Sequence, residues 1–383
     1  MYPLNHRRLN LAIVFAITLM AVLGVSSMAP ALPTMAQDLQ VSSEASTLLV
    51  TVFTLPGVIL APLLGILADR WGRRKVLIPS LLLFGLAGGA CSLARDFELL
   101  LGLRFFQGIG AAALGALSIT LIGDFYSEEA RSRVFGYNAA VLTIGTATYP
   151  LLGGALALLS WRYVFLLPLA ALPLAAVVIS LRNPEPRSSE DFKGYVTEAV
   201  RRMSSRNISF FLLATMVTFI ILYGPYLTTF PFLLEYSFGS TPFTVGIIMS
   251  SMSVTTALTS SRLAKLSERF SGRNLVQGAF LLYALALVLM PLMPNIWVLF
   301  LPTMLFGFAQ GINIPSIQKL LSDSAPAKYR GAFMSTNAMM LRLGQTLGPL
   351  IMALILMNWG LVAVFFAGAC ISLLMLLLLL ATD

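Results

Sequence analysis

Long apolar runs alternate with short polar segments along the whole chain. Each run approaches the roughly 20 apolar residues that a helix needs to cross a bilayer. Within a run the apolar residues are continuous rather than alternating, which favours helices over the strands of a barrel. We predict twelve spanning helices, called spans 1 to 12 in chain order, at residues 11–36, 47–68, 76–94, 98–121, 132–159, 161–181, 209–234, 241–262, 274–292, 295–321, 331–357 and 359–381.

Composition agrees with this pattern, since 58% of the residues are hydrophobic and only 11% are charged. A soluble protein of 383 residues cannot cover its surface with so few charges. The connections between spans are short, as at residues 95–97, and leave no room for a domain outside the membrane. The sequence therefore predicts an all-α polytopic membrane protein.

Lysine and arginine residues lie mainly on one side of the predicted spans. With the N-terminus in the cytosol, the cytosolic segments hold 21 of the 25 basic residues, and the opposite side holds Arg95 and Arg162. Short cytosolic loops are enriched in basic residues, so we expect both termini in the cytosol of an inner (plasma) membrane protein. The net charge of +9 reflects this topology and attraction to anionic lipid, not nucleic-acid binding.

The longest hydrophilic segment, residues 182–208, divides the chain into residues 1–181 and 209–383 with six spans each. We predict two pseudo-symmetric six-helix bundles joined by a cytosolic linker. Apolar residues recur at helical spacing in the linker from Phe192 to Met203. This spacing indicates either a short helix on the inner membrane surface or a solvated linker.

The two predicted bundles are sequence repeats. A shift of 199 residues superposes five pairs, which are Asp124 and Asp323, Arg131 and Arg330, Asn138 and Asn337, Gly145 and Gly344, and Pro150 and Pro349. Parallel repeats of six spans build many secondary transporters, in which the substrate is held near mid-membrane. The repeat therefore indicates transport.

Charge and glycine are concentrated in the segment from Gly65 to Lys75, between spans 2 and 3, where we predict a tight cytosolic turn. Gly65 would let two helices approach closely, and a carboxylate at Asp69 suits an exposed helix N-terminus. Asp124, at the cytosolic end of span 4, is a candidate partner for the arginines. The predicted cluster contains Gly65, Asp69, Arg70, Gly72, Arg73, Arg74 and Asp124. A plain basic anchor is the alternative.

Spans 4 and 5 carry two further patterns. Arg104 falls inside span 4, where an arginine costs roughly 2.5 to 3.5 kcal/mol and must face protein or water, and Gln107 lies one turn on. A structural hydrogen-bond hub is the alternative role for Arg104. Span 5 is rich in residues that permit close helix contact, while Tyr149 is bulky. The predicted packing residues are Gly136, Gly145, Tyr149, Pro150, Gly153 and Gly154.

These segments resemble the motifs of the major facilitator superfamily, and more narrowly its twelve-span drug:proton antiporter family. Residues 65–75 match G-x-L-a-D-r-x-G-r-k, and residues 104–112 match R-x-x-Q-G-x-G-a-A. Residues 136–154 match the antiporter signature except at Tyr149, which replaces a glycine. The resemblance implies a two-bundle fold, a latch formed by the residue 65–75 cluster, proton coupling assisted by Arg104, and export.

No carboxylate falls at mid-membrane, because all 16 acidic residues lie in loops or at span ends. A cavity that holds Arg104 and Arg342 without a countercharge favours neutral or anionic substrates. An arginine does not deprotonate, so Glu235, Asp38 or His6 would have to change protonation in the cycle. Of these, Glu235 joins Arg104 and Gln107 as a candidate for proton coupling. The candidate cavity residues are Tyr223, Tyr226, Asn313, Asn337, Arg342 and Gln345. A packing or gating role is the alternative for Arg342.

Other chemistries are not indicated. The chain has no phosphate-binding G-x-x-x-x-G-K-[ST] loop, and one histidine and two cysteines form no metal or nucleophile cluster. We expect no enzyme activity and no cofactor, and a monomer whose partners are a small-molecule substrate, protons and the lipid bilayer.

The sequence thus predicts a secondary active exporter of a small amphipathic compound that works by rocking-bundle alternating access. Two alternatives within transport are a dedicated exporter of an anionic metabolite such as a siderophore, and a substrate importer. From another class, a sensor or scaffold that does not transport stays open.

Overall fold

The computed structural model describes residues 4–126, 128–179, 206–325 and 330–381, which form helices joined by short turns and contain no strand. The α-helices are α1 Leu4–Ser26, α2 Leu32–Asp38, α3 Ser43–Trp71, α4 Arg73–Cys91, α5 Phe97–Ala111, α6 Leu114–Phe125, α7 Glu128–Leu159, α8 Ala171–Val178, α9 Arg206–Ile221, α10 Phe230–Phe238, α11 Pro242–Ser261, α12 Leu263–Arg269, α13 Gly272–Leu289, α14 Phe300–Ser324, α15 Arg330–Trp359 and α16 Leu361–Leu380.

Eleven stretches of the described residues are helical, long and apolar enough to cross a membrane. The remaining prediction, span 10, coincides with the 25-residue helix α14, whose Gln310 and Asn313 lower its hydropathy. Large apolar side chains such as Leu374 and Leu377 on α16 are about 60% exposed, as expected for a surface that contacts lipid tails. The predicted all-α fold is confirmed.

Several spans are broken into shorter helical pieces, and span 4 consists of α5 and α6. Span 1 consists of α1, a 3₁₀ turn at Ala29–Ala31 and α2, and span 6 begins with a 3₁₀ segment at Trp161–Ala170. Span 7 contains a π-helix at Leu222–Thr229 between α9 and α10. Pro225 lies inside this π-helix and has no N–H to donate, which favours a change of helical register there.

The turn predicted between spans 2 and 3 is shorter than expected. Helix α3 continues to Trp71 and α4 begins at Arg73, so Gly72 alone separates them. Gly72 has a φ of 95°, a conformation that side chains disfavour. The charged segment is therefore mainly the meeting of two helix ends, which brings Asp69 and Arg73 onto adjacent turns.

The described residues belong to two compact units. Of these residues, the first unit contains 4–42, 48–126, 128–179 and 241–246, and the second contains 43–47, 206–240, 247–325 and 330–381. Most of the predicted linker, including its possible surface helix, lies outside the described residues. The predicted domain boundaries therefore stay predictions.

Each unit packs its first long helix against its fifth span through a buried threonine and asparagine. In the first unit, Thr18 Oγ1 on α1 donates to Asn138 Oδ1 on α7 at 2.7 Å. In the second, Thr215 Oγ1 on α9 donates to Asn337 Oδ1 on α15 at 2.6 Å. The pair Asn138 and Asn337 thus has the same partner type in both predicted repeats.

Candidate transport site

The cluster predicted around residues 65–75 forms around Arg73. Its guanidinium makes an ion pair with Asp69 one turn earlier, and its Nε donates to Asp124 Oδ2 at 3.0 Å. The Asp69 side chain is 54% exposed, whereas those of Arg73 and Asp124 are 11% and 8% exposed. Because water screens the Arg73–Asp124 pair less, it is the stronger of the two interactions.

Other members of the predicted cluster have different surroundings. Arg70 is exposed, and Arg74 is half-buried. A Cβ placed on Gly65 would meet no heavy atom within 4 Å, so the close helix approach that we expected at Gly65 is not found. The packing role predicted for Gly65 is therefore wrong.

Arg104 on α5 is fully buried in the first unit. Its Nη1 donates to Gly24 O at 3.0 Å and to Gln107 Oε1 at 2.7 Å, and its Nε donates to Leu49 O at 3.2 Å. The guanidinium carbon lies 4.2 Å from the centre of the Phe53 ring, within cation–π range. These neutral partners enclose the charge, and no carboxylate pairs with it in the described part of the chain.

The small residues of span 5 fall into two groups. A Cβ on Gly153 would collide with the carbonyl oxygen of Ser27, and one on Gly154 with that of Pro242, both within the first unit. One on Gly145 would lie 2.9 Å from the Leu19 side chain. Gly136 has open space, so close packing there was wrongly predicted.

Two further residues of this region were singled out from sequence. Tyr149 is 7% exposed and packs beside Gly145, so its side chain is accommodated within the unit. Pro150 is buried inside α7.

Two acidic residues near the predicted outer surface, Asp38 and Glu235, have different surroundings. Asp38 accepts a hydrogen bond from Trp161 Nε1 at 2.7 Å and forms an ion pair with Arg162 at 3.3 Å. Glu235 lies in α10 near the end of span 7 and is half-buried. Of the two, Glu235 remains a candidate for proton coupling.

Arg342 lies on α15 in the second unit and has surroundings unlike those of Arg104. It is half-buried, and Nη1 donates to Gln345 Oε1 at 3.1 Å. Gln345 Nε2 in turn donates to the Tyr223 hydroxyl at 2.8 Å. The structure thus brings together three of the six predicted cavity residues as a chain of hydrogen bonds.

The other three predicted cavity residues divide. Asn337 lines a cleft. Tyr226, in contrast, is only 1% exposed, and its hydroxyl donates to Met249 O at 3.1 Å while its ring stacks on Phe306 at 4.9 Å between ring centres. Asn313 is fully buried and donates to Thr218 Oγ1 at 2.7 Å. Tyr226 and Asn313 are therefore interior packing residues, because neighbouring helices cover both side chains.

The cleft lies in the second unit, is partly open to its surroundings and has an enclosed volume of about 20 Å³. Its lining combines apolar side chains with hydroxyl and amide groups, and carries no charge. The lining residues are Thr215, Thr218, Phe219, Ile314, Ile317, Gln318, Asn337 and Leu341. Of these lining residues, only Asn337 was predicted from the sequence. Thr215, Phe219 and Tyr223 are spaced four residues apart and so share one face of α9, and this spacing could have indicated that the face lines a cleft.

Comparison with known proteins decides the family. The family model of the Major Facilitator Superfamily matches residues 14–239 and 209–383, which together cover nearly the whole chain. The chain belongs to the Major Facilitator Superfamily. It is therefore a multi-pass membrane transporter rather than an enzyme, and the predicted recognition is confirmed.

Within the superfamily, the chain is similar to two proteins of Bacillus subtilis. It is 24% identical to Multidrug resistance protein 1 over 352 residues, or 91% of this chain and 90% of the relative. It is 33% identical to the Bacillibactin exporter over 163 residues, or 41% of this chain and 40% of that relative. The crystal structure of the nucleoside transporter NupG shares the fold, with a TM-score of 0.80 and 15% identity over 99% of both chains.

Proposed function

We propose that the protein is a secondary active exporter of small amphipathic compounds, neutral or anionic, coupled to proton influx. The observation that carries the proposal is the uncharged cleft of the second unit, where apolar side chains alternate with hydroxyl and amide groups. Such a lining suits a ligand that is apolar with few polar groups. The similarity to a multidrug resistance protein over most of both chains supports export as the direction.

Proton coupling is the finer part of the proposal. A proton driven by 100 mV is worth about 2.3 kcal/mol, or close to a fifty-fold substrate gradient. Glu235 is the candidate that can change its protonation state, while Arg104 and Gln107 would supply a fixed, enclosed charge that favours one state of the cycle. This assignment rests on the family resemblance of the Arg104 segment and on its enclosure by neutral groups.

The Arg73–Asp124 pair supports a latch in the same cycle. Alternating access requires an interaction that holds one state and is released in the other. An ion pair with two nearly buried side chains at helix ends is strong enough to bias such an equilibrium and close enough to water to open. We propose that both termini are cytosolic, that the membrane is the inner membrane, and that the protein works as a monomer.

A second candidate function is export of an anionic metabolite such as a siderophore. The half-buried Arg342 favours an anion, and the similarity to the Bacillibactin exporter is the higher in identity of the two relatives, although it covers 41% of the chain.

Flux across reconstituted vesicles tests the proposal. The purified full chain is placed in proteoliposomes with a fluorescent pair, 7-methoxycoumarin-3-carboxylate and its neutral carboxamide, and flux is followed with and without a pH gradient. We expect the gradient to raise flux of at least one probe about ten-fold above protein-free vesicles, and Arg104→Leu to abolish that rise while the variant stays folded. Flux that ignores the gradient would contradict proton coupling, and no flux of either probe would favour a sensor or scaffold.

A further inference from the structure

The two repeats of this chain contain the same pair of facing helices, α1 with α7 and α9 with α15. A shift of 197 residues superposes Thr18 on Thr215, and the shift of 199 superposes Asn138 on Asn337. Their threonine–asparagine hydrogen bonds are 2.7 and 2.6 Å long. We call each hydrogen-bonded pair of side chains between the two helices a rung. Because this first rung is the same in both units, it is part of the common scaffold.

Two turns further along the same helices, the repeats diverge. In the second unit the next polar rung is Tyr223 on α9 with Gln345 on α15, at 2.8 Å. The same two shifts place Ser26 and Thr146 at these positions in the first unit, and Thr143 at the position of Arg342. The hydroxyl of Thr143 donates to Ala139 O of its own helix at 3.0 Å. The second rung and Arg342 therefore occur in one repeat only, so the shared scaffold does not require them.

Arg342 is also the more accessible of the two arginines inside spans. Arg104 has three acceptors and an aromatic ring around it and no exposed surface. Arg342 is half-buried and donates to one acceptor, Gln345, within the part of the chain that the structure describes. A guanidinium has five N–H donors in a planar fork, so most of the Arg342 donors remain for a ligand.

The cleft lies one helical turn from the Tyr223–Gln345 pair that holds Arg342. Phe219 and Leu341 line the cleft, and each precedes its member of that pair by four residues. The Phe219 ring is 6.2 Å from that of Tyr223, which is bound to Gln345. The enclosed space of the cleft is only about 20 Å³, so it can receive the edge of a ring but not a whole ring system.

We propose that this unit holds an anion subsite, in which Arg342 binds the carboxylate or sulfonate of an aromatic amphiphile whose ring system packs against the Phe219 and Leu341 side chains at the edge of the cleft. Gln345 is a positioning residue, because its Oε1 orients the guanidinium while Tyr223 fixes its amide. Carboxylate and sulfonate oxygens accept two parallel bonds from the arginine fork, an interaction that strengthens where water is scarce. The subsite names the substrate class of the proposed exporter and rests on that function.

Binding to the purified full chain in lipid nanodiscs tests the subsite, with the same coumarin carboxylate and carboxamide as probes. Wild type should bind the carboxylate at least about ten-fold more tightly, the scale of one charge-assisted hydrogen-bond pair. Arg342→Thr, which installs the residue of the other repeat, should remove that preference and leave carboxamide affinity within about two-fold. Gln345→Thr should weaken carboxylate binding alone.

Two further variants control for folding and net charge. Arg342→Lys keeps the charge without the fork and should retain part of the preference, which separates loss of the subsite from loss of the fold. The double variant of Arg342→Thr with Thr143→Arg restores the net charge in the first unit and should still lack the preference.

Several outcomes would overturn the subsite: wild type that does not bind the carboxylate more tightly than the carboxamide, Arg342→Thr that keeps the preference, or a double variant that regains it. The proposed function fails separately. If the binding preference is present and depends on Arg342 but vesicle flux ignores the pH gradient, the subsite stands and proton-driven export does not.

Discussion

At the scale of single residues, the same side chain has a different role in different surroundings. Arg73, Arg104 and Arg342 are respectively paired with carboxylates, enclosed by neutral acceptors, and bound to a single amide. The sequence showed that two of the three lie inside spans, but not which of these two is enclosed. Exposure depends on the direction in which each helix face points, and spacing along one helix does not determine that direction.

The Arg73–Asp124 pair leads to a prediction with a built-in control. Asp124→Asn removes a charge from a pair whose side chains are 11% and 8% exposed, and should lower vesicle flux about ten-fold, since hydrogen bonds to charged groups contribute about 1.5 to 3 kcal/mol. Its repeat counterpart Asp323 is exposed, so Asp323→Asn should change flux less than about two-fold.

Asp124→Glu keeps the charge and should retain most of the flux. Wild-type flux in Asp124→Asn, or an equal loss in Asp323→Asn, would show that the pair is not a latch.

At the scale of elements, length and apolar content predicted the helices well, but not their breaks. Span 7 changes to a π-helix between Leu222 and Thr229, and Gly72 alone separates α3 from α4. A proline marks a place where the register can change, yet neighbouring helices decide whether it does. The same holds for the glycines of span 5, which share a motif but not an environment.

Gly153 and Gly136 provide a matched test of that difference. A Cβ on Gly153 would collide with the backbone of Ser27, so Gly153→Ala should lower stability by about 1 to 3 kcal/mol, the usual cost of overpacking. Gly136→Ala meets open space and should leave stability unchanged or raise it by about 0.5 to 1 kcal/mol, because alanine favours helix.

Thermal unfolding of the detergent-purified variants, followed by fluorescence-detected gel filtration, compares the two glycine substitutions directly. Equal melting temperatures would mean that the Ser27 backbone moves aside without cost, and that Gly153 is not a packing residue.

At the scale of the whole molecule, the distribution of basic residues predicts the orientation. Lys75, in the first turn of α4, and Arg95, four residues beyond the end of this helix at Cys91, are both exposed. In intact cells, a membrane-impermeant maleimide should label Arg95→Cys and not Lys75→Cys, while permeabilised cells should show labelling of both. Labelling is scored against wild type, since Cys91 is buried and Cys370 is exposed on the apolar helix α16.

Labelling of Lys75→Cys alone in intact cells would reverse the predicted topology. It would also move the Arg73–Asp124 pair to the outer side of the membrane.

The sequence by itself determined the helical fold, the repeat and the family, and it predicts the orientation. A bilayer requires long apolar helices and favours basic residues in cytosolic loops, so the local composition of the chain is enough to predict each of these features. Only the tertiary structure decided that Tyr226 and Asn313 are interior while Arg342, Gln345 and Tyr223 meet beside a cleft. These contacts depend on how each helix is rotated and on which distant segments pack together, and the spacing of residues within one helix determines neither.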